Sequence, residues 1–251
     1  VKPLHTIVPG ERIAGGQPTT INDYPFAAAL LTNRAGGEYV QACGGTILTA
    51  SAILSAASCF YTGTSQVAQA ANPWRARVAS TFGNSGGTIH IVNRITIHEE
   101  FSPTTQINDI AVLRTTLNIQ FQDNLVAKAR IAGAAYSITN NQVVWAIGWG
   151  SSVSSSEQLR AVQMWTIAQQ TCSNRYSGSA VTVNDNMICV GWLDVGIRGQ
   201  CTGDVGGPLL DAAGAVIGVF SRTQGCADDW YPDINTRVSP YTRWIVAAAT
   251  A

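Results

Sequence analysis

The chain is poor in charged residues. Asp, Glu, Lys and Arg together make up 12% of its 251 residues, about half the share of an average protein. Basic and acidic residues balance at 15 each, no block of like charge stands out, and no apolar run reaches the length of a membrane-spanning helix. These absences predict no nucleic-acid partner and no membrane span.

Lysine is almost missing, because Lys2 and Lys128 are the only lysines among the 15 basic residues and the other 13 are arginines. Arginine keeps its charge at a pH where lysine loses it. The bias therefore suits a strongly alkaline fluid. Drift or genomic base composition explains it equally well, and both readings stay open.

The cysteines form no C-x-x-C pair, and none of the three histidines stands at metal-ligand spacing from them. We therefore expect structural disulfides, no metal and an oxidising, extracellular location. The first ten residues, "VKPLHTIVPG", lack the features of a signal peptide, so we expect a secreted chain after its removal. The six cysteines are Cys43, Cys59, Cys172, Cys189, Cys201 and Cys226.

Long amphipathic patterns are also scarce. Short apolar or alternating runs, separated by Gly, Asn, Ser and Pro, predict an all-β fold. The Ser-rich stretch 151–158 is predicted to form one surface loop. A weak boundary between the two β-rich halves of the chain is predicted near 116–130. The clearest helix is predicted over 239–250, beginning at Ser239 and Pro240. Its apolar face is formed by Tyr241, Trp244, Ile245 and Ala248.

Five segments in a fixed order resemble the trypsin/chymotrypsin family of serine proteases, and "GWGSSVSSSEQLRAVQMWTIAQQTC" is most similar to digestive trypsin-like proteases of insects. The resemblance implies two six-stranded antiparallel β-barrels with a cleft between them, and a C-terminal helix. The segments are "RIAGG" (12–16), "CGGTILTASAILSAASC" (43–59), "NDIAVLR" (108–114), "GWG" (148–150) and "CTGDVGGPLL" (201–210).

The resemblance also divides the chain. It implies a leader over 1–12 that resembles a pro-segment, and a trypsin-like domain over 13–251. Within that domain the first barrel is expected at about 13–120 and the second at about 121–238, before the helix. The implied disulfides are Cys43–Cys59, Cys172–Cys189 and Cys201–Cys226.

The family's mechanism uses a serine nucleophile, a histidine base and an aspartate that orients the histidine. Here "AASC" places Ser58 where the family has histidine, and "GDVGGP" places Val205 where it has serine; only Asp109 matches. We expect Ser58 to hydrogen-bond to Asp109 and expect no base beside Ser58. The backbone at Gly203 and Val205 resembles the oxyanion hole.

The specificity pocket of the family is altered too. Gly199 stands where trypsin-like enzymes keep an aspartate, and "SRT" (Ser221, Arg222, Thr223) replaces the usual Ser-Trp-Gly wall. Asp233 stands on the opposite wall. We expect the pocket to be narrowed or plugged, with Arg222 or a water network neutralising Asp233, because an unpaired buried carboxylate is costly. An alternative leaves Asp233 in a displaced loop.

Activation in this family cuts after an arginine, and the new terminal ammonium pairs with the aspartate before the nucleophile. The matching residues are Arg12, Ile13 and Asp204. We expect the Arg12–Ile13 bond to be intact and the cleft to be zymogen-like. The alternative is a cut chain with Ile13 inserted.

These substitutions predict a secreted serine protease homologue that is not an enzyme and acts through binding. Its expected partner is a protein or an extracellular surface ligand, such as a protease inhibitor or a microbial surface, and the gut lumen is one such location. The alternatives are a carrier or structural role, and weak serine-type hydrolysis dependent on Ser58. No cofactor is expected, and no calcium, because "FGNSGGTIHIVN" holds no carboxylate.

Overall fold

The structure is a computed structural model, and it describes residues 13–33, 37–62, 65–68, 70–150 and 158–251. The predicted leader over 1–12, with Arg12, and residues 151–157 of the Ser-rich stretch lie outside the described residues. The elements are β1 (Gln17–Pro18), β2 (Ala27–Thr32), β3 (Val40–Thr49), β4 (Ala52–Ser55), β5 (Tyr61–Thr62), β6 (Ser65–Ala68), β7 (Trp74–Val78), β8 (Thr88–Ile97), β9 (Ala111–Thr115), β10 (Val143–Gly148), β11 (Arg160–Ile167), α1 (Gln169–Arg175), β12 (Met187–Gly191), β13 (Pro208–Asp211), β14 (Val216–Arg222), β15 (Asp233–Arg237) and α2 (Thr242–Thr250).

The first barrel closes in the order β2-β3-β4-β9-β8-β7, with every pair antiparallel. Its strands bury one face or both. In β7, "WRARV", buried and half-buried residues alternate, whereas all six residues of β2, "AAALLT", are buried. The barrel interior is therefore filled by side chains, as expected for a barrel of eight strands or fewer.

The second barrel closes in the order β10-β11-β12-β15-β14-β13, because β11 pairs with both β10 and β12. The two closed six-stranded barrels and the terminal helix confirm the predicted fold. Strand β1 lies in the stretch assigned to the first barrel, yet it pairs with β11 of the second. The numerical domain bounds stay predictions.

The barrels meet closely at Gly44 of β3. The Gly44 amide donates to the Val205 carbonyl at 2.8 Å. A Cβ on Gly44 would lie 2.8 Å from the Cα of Gly207, closer than carbon atoms approach without displacement. Glycine at 44 thus lets the loop that precedes β13 rest directly on the first barrel.

Three disulfides join the cysteine pairs that the resemblance implies, so this prediction is confirmed. One bond lies in the first barrel and two lie in the second. Closing loops of this length restricts the unfolded chain, which contributes about 3 kcal/mol per bond in the chain-entropy model. The pairs are Cys43–Cys59, Cys172–Cys189 and Cys201–Cys226.

The terminal helix α2 follows a short 3-10 turn over Ser239–Tyr241. Pro240 lies in the first positions of that turn, as predicted, but no side chain caps it. The predicted apolar face is confirmed: Tyr241, Ile245 and Ala248 are buried, and Trp244 packs against the core. Helix α1 was not predicted, because "QQTCSNR" carries no apolar stripe beyond Cys172.

Within the described ranges, no helix is both long enough and apolar enough to cross a membrane. The same part of the chain contains no group of three or more His, Cys, Asp or Glu side chains placed to hold a metal ion.

Candidate functional site

Asp109 is the centre of the cleft's polar network. Its carboxylate is fully buried and accepts hydrogen bonds from the Ser58 amide at 2.7 Å, the Ser58 hydroxyl at 2.8 Å and the Ser221 hydroxyl at 2.6 Å. The expected contact between Ser58 and Asp109 is therefore present. Ser58 lies on the first barrel and Ser221 on the second, so the carboxylate links the two walls of the cleft.

Burial raises the pKa of Asp109 above its ordinary value, and four influences oppose that rise. They are the hydrogen bonds from the Ser221 hydroxyl, the Ser58 amide and the Ser58 hydroxyl, and the positive charge of Arg222. A carboxylate with a raised pKa is a better proton acceptor than an exposed one. Asp109 is in hydrogen-bond contact with the Ser58 hydroxyl, and the expectation that no working base serves Ser58 stays a prediction.

Removing one donor from this carboxylate should destabilise the fold. We expect Ser221→Ala to lower the free energy of unfolding by about 1–3 kcal/mol, because a buried acceptor loses a partner. Urea denaturation at pH 8 measures the change. Ser173→Ala, at an exposed position of α1, is the matched control. Equal effects of the two substitutions would contradict a special role for the Ser221 hydroxyl.

Val205 is half-buried, and its side chain packs against the hydrophobic core. Its carbonyl is held by Gly44, and the Gly203 carbonyl accepts from the Gln41 side chain at 2.6 Å. The backbone amides of Gly203 and Val205 make no hydrogen bond within the described part of the chain. Two amide donors thus stand available where the family binds an oxyanion.

Gly206 shows why this loop keeps its glycines. Its φ is +84°, and a Cβ would lie 2.1 Å from the Ser55 hydroxyl oxygen and 2.5 Å from the Gly44 carbonyl oxygen. Both the left-handed conformation and the close approach exclude a side chain here. The loop is therefore shaped by backbone contacts, and these do not involve the side chain of residue 205.

Asp204 is buried. Its carboxylate accepts from the Gly150 amide at 2.7 Å and from the Cys201 amide at 3.0 Å. Ile13 is fully buried, and the next residue, Ala14, pairs with Gly199 at the base of the pocket. Since Arg12 lies outside the described residues, an intact Arg12–Ile13 bond stays a prediction.

Asp233, the first residue of β15, is buried, with only 3% of its surface exposed. Its Oδ2 accepts from the Gln200 amide at 2.6 Å, and a Cβ on Gly199 would lie 3.1 Å from that same oxygen. Burial raises the pKa of Asp233 to about 7, against the lowering effects of Gln200 and Thr223. The carboxyl group therefore occupies the space beside Gly199.

Arg222 does not pair with Asp233, so that half of the expectation is wrong, and a water network beside Asp233 stays a prediction. Its guanidinium reaches across the cleft and donates to the Thr105 carbonyl of the first barrel. Its charge lowers the pKa of Asp109, while burial lowers the pKa of Arg222 itself. The acceptor of a long side chain such as Arg222 depends on which loop lies within its reach. The local sequence "SRT" does not show that the loop at Thr105 lies there.

Sequence reasoning missed two buried amide side chains in the pocket. Asn235 donates to Gln200 at 2.9 Å, and both side chains are fully buried. The Gln200 amide nitrogen and the Asn235 amide oxygen have no partner among the described residues. The sequence signal that could have indicated this pair was the polar side chain of Gln200 next to Gly199 in "RGQC". Gln41, which holds the Gly203 carbonyl, carried no comparable signal.

Comparison with known proteins shows how this site is related to others. The family described as Trypsin matches residues 13–245. The chain is 50% identical over 238 residues to "Trypsin, alkaline A" of Manduca sexta, covering 94% of this chain and 90% of that protein. It is 49% identical to "Trypsin CFT-1" of Choristoneura fumiferana, covering 95% and 91%.

A solved structure shares the fold. The "scabies mite inactivated protease paralogue S-D1" superposes with a TM-score of 0.82 at 24% identity, over 95% of this chain and 97% of that one. At this identity the likeness supports the architecture alone.

The interpretation of the chain as a non-enzyme is contradicted by these relatives. Proteins half identical to it over nearly its whole length bear the name trypsin, which points to a catalytic protease. Nothing in the comparisons supports a zymogen-like state. The substitutions at Ser58 and Val205 leave a hydroxyl and a buried carboxylate in direct contact in the cleft, so they do not by themselves establish inactivity. The chain belongs to the trypsin family of serine proteases.

Proposed function

We propose that this chain binds a polypeptide segment in the cleft between its barrels and acts outside the cell. The observation that carries the proposal is the pair of available amide donors at Gly203 and Val205. They lie in a loop whose backbone is fixed at Gly44 and Gly206. Donors held in place can donate hydrogen bonds to a peptide carbonyl without the cost of ordering a loop.

The edge of β14 supports the same function. Strand β13 pairs with β14 only as far as Val219, and Phe220 bonds to Gly206 and Gly207. Beyond Phe220 no described strand continues on that side. An extended peptide can add to such an edge through main-chain hydrogen bonds. The three disulfides support an oxidising, extracellular location.

The pocket should contribute little to this binding. Asp233 fills the space beside Gly199, and Thr223 stands at the wall where the family has glycine. The branched Thr223 side chain narrows the entrance. We infer that the bound polypeptide is held by its backbone and that no long side chain enters the pocket.

The experiment is a calorimetric titration with a small-protein inhibitor of serine proteases, made with lysine or with alanine at the residue that enters the pocket. We expect both forms to bind with a Kd of about 10 μM or tighter and within about threefold of each other. Thr223→Trp should weaken both at least about tenfold by obstructing the cleft. Val246→Trp, at an exposed position of α2, is the control. If neither inhibitor form binds, the proposal is rejected. If only the lysine form binds, the narrowed pocket is rejected.

Hydrolysis is the second candidate, favoured by the names of the relatives. In this chain the Ser58 hydroxyl would give its proton to Asp109, while its oxygen bonds to the substrate carbonyl carbon. The leaving group would then take that proton, and water would release the acyl group by the reverse steps. The same preparations should be assayed with a peptide ester. Activity that Ser58→Ala abolishes supports this candidate, and activity unchanged by Ser58→Ala rejects it.

A further inference from the structure

The second barrel carries an open groove of about 490 Å³ whose lining includes none of the residues of the cleft site. A volume of this size is within the range of small-molecule sites, roughly 300–1,000 Å³. Trp165 of β11 and Trp192, just after β12, form its aromatic wall. Their rings are 5.4 Å apart and tilted by 49°.

The two indoles are held in place by Arg198. Its guanidinium lies 4.8 Å from the Trp192 ring and 5.6 Å from the Trp165 ring, and it donates to the Gln163 carbonyl at 3.3 Å. A cation against an aromatic face is attracted by the ring quadrupole. Arg198 therefore helps to fix the two indoles, and it is not itself part of the groove lining.

Polar side chains also line the groove. Asn140, Asn141 and Thr171 line the groove and are exposed. The Asn141 amide donates to the Thr166 carbonyl at 2.9 Å, which fixes the turn that carries both asparagines. An asparagine side chain offers two donors and one acceptor. The groove thus combines flat apolar faces with adaptable hydrogen-bonding groups.

The lining of the groove contains no ionisable side chain. The nearest acidic residue along the chain, Asp194, is paired with Arg175 at 2.9 Å. The nearby guanidinium of Arg198 is already engaged by the two indole rings and by the Gln163 carbonyl, and a charged ligand would lose its hydration without a free opposite charge in the lining. The complementary ligand is therefore uncharged.

We propose that this groove binds a neutral oligosaccharide. A pyranose ring presents C–H groups on its faces, which suit the indoles, and hydroxyl groups at its edge, which suit asparagine and threonine. A purely apolar ligand would leave the asparagine amides unused. The proposal concerns a surface of the second barrel and does not depend on the function of the cleft.

The experiment is a titration of the whole protein with neutral oligosaccharides of glucose, mannose and N-acetylglucosamine, followed by tryptophan fluorescence and calorimetry. We expect at least one to bind with a Kd below about 1 mM. Trp165→Ala should weaken that binding at least about tenfold, and the exposed Asn140→Ala should weaken it without a change in thermal stability. Trp230→Ala, an exposed indole packed on Arg175 outside the groove, is the control.

Three outcomes would overturn the proposal. One is the absence of binding by every neutral oligosaccharide at 10 mM, a concentration of about ten times the expected limit. Another is binding that persists unchanged in folded Trp165→Ala and in Asn140→Ala. The third is saturable binding of an apolar aromatic compound or of an acidic polysaccharide at the groove, with none of the neutral saccharides competing.

Discussion

The double substitution Ser58→His with Val205→Ser is expected to raise the rate of peptide-ester hydrolysis at least about a thousandfold, since it restores the nucleophile and base of the family. The surrounding geometry is already present. The Ser58 amide, a main-chain group, fixes one oxygen of Asp109, and the other oxygen accepts from the Ser58 hydroxyl. An imidazole N–H at residue 58 can replace that hydroxyl, and the amides of Gly203 and Val205 can receive the oxyanion.

The single variants separate this effect from a general change in the cleft. Nucleophile and base act as a unit, so neither Ser58→His nor Val205→Ser alone should give more than a small part of the increase. Adding Asp109→Asn to the double variant should lower kcat about ten-thousandfold, because the imidazole would then adopt the wrong tautomer. The measurement is kcat/KM with a peptide ester at pH 8. A folded double variant with unchanged kcat/KM would show that the cleft does not admit substrate.

Asp233→Asn is expected to stabilise the protein under alkaline conditions by roughly 2–4 kcal/mol. The carboxyl group of Asp233 is buried beside Gly199, and burial raises its pKa from 3.8 to about 7. A shift of one unit corresponds to about 1.4 kcal/mol. Asparagine keeps an acceptor for the Gln200 amide and removes the buried charge.

The pH dependence follows from the direction of the shift. Between pH 4 and 7 the native state holds the Asp233 proton and the unfolded state releases it. The free energy of unfolding therefore falls as pH rises through this window and levels off above it. The variant lacks this fall, so its advantage should be absent at pH 3 and complete above about pH 8.

Urea denaturation of both proteins across pH 3–9 measures the difference. Asp229→Asn, at an exposed position nearby, controls for the loss of one negative charge on the surface. A constant difference between wild type and Asp233→Asn at every pH would contradict the raised pKa. Destabilisation at pH 9 would show that the ionised carboxylate is needed for the fold.

The fold could be predicted because its determinants are local and recur along the chain. Cysteine positions, glycine-rich turns and short buried strands such as "AAALLT" each point to the same architecture. The pairing of β1 with β11 could not be read in this way. Two residues, Gln17 and Pro18, carry too little pattern to identify a partner strand.

Contacts in the candidate site could be predicted where the backbone places short side chains. Contacts made by long side chains were harder to predict. The contact between Ser58 and Asp109 follows from two short side chains in matched motifs. The partner of Arg222 was predicted wrongly, because a guanidinium on a flexible stem can reach several acceptors. The groove at Trp165 and Trp192 was missed, since 26 residues of sequence separate indoles that the pairing of β11 with β12 brings together.

The hydrogen bond from Gly44 to Val205 uses a carbonyl that every amino acid possesses. Side-chain chemistry at 205 and the folding of its loop are therefore separable, whereas position 206 admits glycine alone for steric reasons. Any residue at 205 can therefore receive the hydrogen bond that holds this loop on the first barrel, and selection on the side chain at 205 can act without loss of that contact.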